Sequence, residues 1–180
     1  MRVDAARNLD AVLQTGARWL ADDPTTSVAT IAAEAGVDRR TVHRRFASRQ
    51  ALLCAVFHAK LAAIEEVLDA SRLEAAPVAV SLHRLVKGVI AVTRRYPIDT
   101  LDPGCPEGAT PKVQEHRERI DAFLRRATDD GLIRCNLPDG MAGAVLHSII
   151  HLVGTQFRGL DCGRAADLAV ETLLKQHRRS

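Results

Sequence analysis

Ser27–Arg49 reads SVATIAAEAGVDRRTVHRRFASR, and the spacing of its small, apolar and basic residues decides the fold. Two short helices meeting at a steep angle need a small residue where they touch and a residue tolerant of a tight turn between them. They also need a branched apolar anchor on the second helix. Ala32, Gly36 and Val42 stand at those positions. Ile31, Ala35, Val37 and Phe46 fill the other inward positions, which leaves Arg39, Arg40, Thr41, His43, Arg44 and Arg45 outward. Thr25, Thr26 and Ser27 are N-cap candidates for the first helix, and Asp38 caps the second. The outward face carries groups suited to phosphates and guanine edges.

Charge points the same way. The net charge is +3, and residues 1–60 hold 9 Lys and Arg against 6 Asp and Glu, so the whole excess lies in the first third. Between Gly36 and Arg49, five arginines (Arg39, Arg40, Arg44, Arg45 and Arg49) face the single acid Asp38. A local excess of this kind is the footprint of a polyanion-binding surface.

Around this motif the chain reads as helices throughout. With 47% hydrophobic residues but only 3% aromatics, its core must be built from Leu, Val, Ile and Ala, a composition for closely packed helices. Apolar spacing predicts a first helix over 4–21, stopped by Asp22, Asp23 and Pro24. Ser48 caps a long fourth helix reaching about Arg72. Helices then follow over 78–96, 112–130, 141–157 and 164–178, with the Pro- and Gly-rich stretch 97–111 as a loop. No alternating apolar–polar run argues for a sheet, and the expected fold is all-α.

Other classes find little support. Met1–Asp10 mixes acids and bases with no apolar core, so no signal peptide is read there. No apolar run approaches the ~20 residues of a membrane helix. The expectation is a soluble, cytoplasmic protein without membrane contact. Cys54, Cys105, Cys135 and Cys162 form no CxxC pair and read as reduced thiols. There is no Gly-rich phosphate loop, nucleophile elbow or metal cluster, so no catalytic residue, cofactor or metal is expected. Asp129–Asp130 reads as a solvated helix end.

The run from Thr26 to Phe57 resembles the DNA-binding domain of TetR-family regulators. The likeness lies in Ile31–Val37, Thr41–Phe46 and Ser48–Leu53, with a weaker echo over 123–138. It implies an N-terminal three-helix DNA-binding domain over 1–48 and a helical effector-binding and dimerisation domain over 49–180. It places the third helix in the major groove, with Thr41, His43 and Arg44 leading and Arg39, Arg40 and Arg45 beside them. Ser27, Thr30 and Arg49 would hold the backbone. The sequence departs from the family pattern at His43, where Tyr is frequent, and at Ala29, where an Arg contact is lost.

The resemblance further implies a homodimer on a palindromic double-stranded operator and an unidentified small-molecule inducer. The last two helices would pair across the dimer through Val145, Ile149, Leu152, Val153, Leu168 and Leu173. The middle helices would enclose the inducer, with Leu85, Val89, Val92, Phe123 and Leu146 as lining candidates. Together these describe a repressor released by its ligand. The alternatives are an activator, a DNA-binding dimer without a small ligand, or sensing through the i, i+4 pair His147 and His151 or the loop thiol Cys105.

Overall fold

The computed structural model of the chain describes residues 2–101, 106–133 and 138–174. Among these residues there are eight α-helices and no strand: α1 (Arg2–Asp22), α2 (Val28–Glu34), α3 (Arg39–Arg45), α4 (Arg49–Ser71), α5 (Val78–Arg95), α6 (Thr110–Asp129), α7 (Met141–Gln156) and α8 (Cys162–Leu174). A 3-10 turn, Glu107–Ala109, leads into α6. The chain forms two compact units, one of residues 1–61 and 95–110 and the other of 62–94 and 111–180. α4 begins in the first unit and ends in the second.

In the first unit α1 buries Val12, Leu13, Ala17 and Leu20, while α4 contributes Leu52, Val56 and Phe57. Gly16 lets α1 come close: a Cβ there would already touch Val56, Ile31 and Leu52 at 3.5–3.7 Å. α1 ends where the Asp23 carboxylate accepts both the backbone N–H of Thr25 (2.8 Å) and its hydroxyl (2.7 Å). Those bonds turn the chain and hold the Asp23 carboxyl below its usual range.

The stretch after α5 belongs to this same unit. Asp10 on α1 accepts hydrogen bonds from Arg95 and, at 3.3 Å, from the Tyr96 hydroxyl. The buried Lys60 on α4 donates to the carbonyl of Ile98 at 2.5 Å. Tyr96, Ile98 and Thr100 are buried with it. A loop read from the sequence as a mere connection is thus part of the core of the N-terminal unit.

In the second unit α5 buries Leu82, Leu85, Val86 and Ile90, and α6 buries Phe123, Leu124 and Ala127. Gly154 on α7 sits against α5 so tightly that a Cβ would fall 2.7 Å from Thr93 Cγ2. Small side chains do the same for α8, where Ala165, Ala166 and Ala169 are buried.

Two helix starts correct the sequence reading. α6 begins at Thr110 rather than 112, because Pro111 fits a first helical turn whose N–H groups lack intrahelical acceptors. α8 begins at Cys162 rather than 164, because the Asp161 carboxylate accepts the N–H groups of Gly163 (2.8 Å) and Arg164 (3.0 Å).

Candidate nucleic-acid interface

The short helices α2 and α3 are held by local chemistry. Ser27 Oγ accepts the N–H of Thr30 at 3.1 Å and contacts its hydroxyl at 2.9 Å. Asp38 accepts the N–H of Thr41 at 3.0 Å. Between the helices Gly36 has φ +65°, and the next N–H, of Val37, returns to the carbonyl of Ala32 at 3.0 Å. A side chain at Gly36 would be strained in that left-handed conformation. Ala35, expected inward, is half-buried because it caps the end of α2.

A seven-residue helix depends heavily on its cap. Asp38→Ala is therefore expected to cost ~1 kcal/mol of stability. Thermal unfolding should show a midpoint several degrees lower, with much of the loss recovered by Asp38→Ser. A midpoint unmoved by both changes would mean that the cap contributes nothing.

Burial separates the two faces of α3. Val42 and Phe46 are buried, and Ile31 and Ala32 of α2 are sealed completely. Arg39, Arg40, Thr41, His43, Arg44 and Arg45 are all exposed, as are Ser27, Thr30 and Arg49. At 3.6 residues per turn, Arg40 and Arg44 lie about 160° around the helix from Val42. They are the crest of the face, with Thr41 beside them and His43 and Arg45 on the flanks. All nine residues assigned to the DNA face lie within one compact unit.

The structure also brings the start of α1 alongside α3. Ala5, Asn8, Leu9 and Val12 share a cleft of about 540 Å³ with Thr41, Arg44 and Arg45. Nothing in the sequence pattern links these segments, since more than thirty residues separate Asn8 from Thr41.

The other assignments fall as follows. Of the inducer-pocket candidates, Phe123 lines a cleft of about 650 Å³ together with Leu68, Leu73, Arg119 and Arg126. Leu85, Val92 and Leu146 are buried in the core, and Val89 is half-buried. The dimer candidates differ in character: Val145 and Leu152 are 38% and 43% exposed, and Ile149, Val153, Leu168 and Leu173 are half-buried. His147 and His151 stack with ring centroids 6.2 Å apart. Among the described residues no group of three or more His, Cys, Asp or Glu is placed to hold a metal ion. Cys105 and Cys135 lie outside the described residues. No helix among the described residues is long and apolar enough to cross a membrane.

A capped, buried α2–α3 pair with a basic outward crest, joined to a larger helical part, defines a helix-turn-helix DNA-binding regulator. Comparison with known proteins agrees. Residues 24–56 match the family described as bacterial regulatory proteins, tetR family. The chain is 24% identical over 148 residues to the HTH-type transcriptional regulator NfxB of Pseudomonas aeruginosa, covering 78% of each protein. Its fold matches the TetR-like regulator LfrR of Mycobacterium smegmatis with a TM-score of 0.75 at 22% identity, over 98% of this chain and 99% of that one. It also matches the regulator PfmR of Thermus thermophilus with a TM-score of 0.73 at 18% identity, over 94% and 96% of the two chains. The protein is a helix-turn-helix transcriptional regulator of the TetR family.

Proposed function

We propose that the protein is a homodimeric repressor that leaves a palindromic operator when a small molecule binds among its middle helices. The observation that carries the DNA reading is the exposed crest of Arg40, Thr41 and Arg44 opposite the buried Val42. In this reading the crest enters the major groove, while Ser27, Thr30, Arg39, Arg45 and Arg49 hold phosphates on either side. One protomer reads one half-site. A second copy, placed by symmetry, reads the other about 34 Å away or at a multiple of that distance.

Dimerisation through α7 and α8 is supported by what the protomer leaves uncovered. Met141, Val145 and Leu152 are large apolar side chains exposed on α7 at spacings of four and seven, so they form one stripe. Leu152→Asp puts a charge into that seam. It is expected to yield a folded monomer in sedimentation and to lose the operator affinity that two half-sites provide. A variant that remained dimeric would remove α7 from the interface.

Effector release is supported by the family and by the solved relative whose printed title places LfrR in complex with proflavine. A ligand that biases α4, which begins in the unit bearing α3, needs a coupling of only ~1–3 kcal/mol to lower operator occupancy appreciably. Footprinting on the DNA upstream of the protein's own gene tests the reading. It should give two protected half-sites related by a palindrome, and a compound screen on that complex should find ligands that abolish protection. Protection without symmetry, or symmetric protection that no compound relieves, would count against the dimer and effector parts respectively.

A further inference from the structure

One buried group in the second unit is left with half of its chemistry unused. His116 lies on the inner side of α6, its side chain 6% exposed, with Nε2 2.6 Å from the Glu65 carboxylate of α4. The same carboxylate receives Lys112 at 2.6 Å and Arg119 at 2.5 Å, and Arg119 continues to Asp69 at 2.8 Å. The bond from Lys112, then that from His116, holds the Glu65 carboxyl at about 2, well below the usual carboxylate range. Glu65 is therefore an ionised acceptor, and the His116 hydrogen sits on Nε2. Nδ1 keeps the lone pair, buried and without a hydrogen-bond partner in the protein.

An acceptor left buried and unmatched is costly, yet the carboxylate behind the ring fixes it in that orientation. A carboxylate-backed imidazole with its second nitrogen turned inward is a recognition group. The buried positions around it on α4 and α6 are apolar: Ile64, Leu68, Phe123 and Leu124. Charge in the network is already matched, Lys112 and Arg119 against Glu65 and Asp69, with the exposed Glu115 on the outer side of Lys112. No counter-charge is left for an ionised ligand, whose burial would be costly.

We propose that His116 is the polar anchor for the effector, its Nδ1 accepting a hydrogen bond from a neutral ligand that carries a hydroxyl or amide N–H on an apolar body. The inference rests on the reading of the protein as ligand-responsive. It also gives that reading a route, because a ligand on His116 loads the link from α6 to Glu65 on α4.

The test uses the full chain labelled with 15N-histidine and a matched pair of probes, 4-butylphenol and its methyl ether. The phenol is expected to move the His116 Nδ1 resonance upfield and to bind roughly five- to tenfold more tightly than the ether, the worth of one hydrogen bond to a buried acceptor. In His116→Phe the two probes should bind alike, while His116→Gln, which retains an acceptor, should restore part of the preference. Equal binding of both probes to the wild type, an unmoved Nδ1 resonance, or no saturable binding of either probe would each overturn the proposal. The outcomes separate from those of the parent reading. A compound that releases the operator without moving the His116 signal leaves a ligand-released repressor whose anchor lies elsewhere, whereas a screen with no releasing compound removes the effector itself.

Discussion

Arg44→Ala is expected to weaken specific operator binding by ~1–3 kcal/mol per half-site, the largest effect of any single change on the DNA face. Arg44 is exposed and stands two residues beyond Val42, at the crest of α3. A guanidinium there can reach a guanine edge with two parallel hydrogen bonds, which an alanine cannot replace. Stability should hardly move, because a substitution at an exposed position away from caps and core changes it by no more than ~0.5 kcal/mol. The check is a pair of titrations, one on the operator and one on unrelated DNA of equal length. Arg44→Ala should lose mostly operator affinity, whereas Arg39→Ala, on the flank, should weaken both DNAs alike. Equal losses from Arg44→Ala on the two DNAs would reduce it to a phosphate contact.

The second large effect belongs to stability. Burial pushes the Lys60 ammonium down from 10.5 to about 8, opposed in part by the neighbouring Asp99. Between those two values the unfolded chain holds the proton and the folded chain does not, so unfolding takes up a proton and stability rises with pH. Below pH 8 the charge is buried at a cost on the order of 3 kcal/mol, and this cost is relieved as pH approaches 10.5. Lys60→Met keeps the stem and removes the charge. In urea unfolding it should be more stable than the wild type at pH 7, with the two curves converging by about pH 10. A constant offset over that range would show that Lys60 does not titrate in the folded state.

These two residues mark where the sequence was legible and where it was not. Arg44 could be read because a helix-turn-helix restricts its own residues: Ala32, Gly36 and Val42 fix the inward side, and the outward side follows. The caps Ser27, Asp38 and Ser48 were equally local, each acting on an N–H three residues away. Lys60 carried a faint signal, four residues after Val56 and four before Ile64 on the apolar stripe of α4. Its partner was invisible, since the Ile98 carbonyl is 38 residues away. The same holds for Asp10 with Arg95 and Tyr96, and for Glu65 with His116. A periodic pattern shows which face is buried but not which distant side chain meets it there. The stretch after α5 was read as loop from its prolines, while its burial depends on α1 and α4.

The division at residue 48 drawn from the family pattern is likewise local. The helix-turn-helix does end there, but the compact unit around it continues to residue 61 and takes in 95–110. The core of the DNA-binding part is completed by residues that only the tertiary fold brings to it.

The central claim is that the α3 crest binds a specific operator, two chains to a site. The most direct measurement is a binding titration of the purified protein on labelled DNA from upstream of its own gene, with excess unrelated competitor and several salt concentrations. The expected result is saturable, competitor-resistant binding by two chains per site. Affinity should fall with salt on a log–log slope of about −0.9 for each phosphate contacted, which is steep for a dimer carrying this arginine set twice. Binding that disappears under competitor on every upstream fragment, or a flat salt plot, would contradict the account.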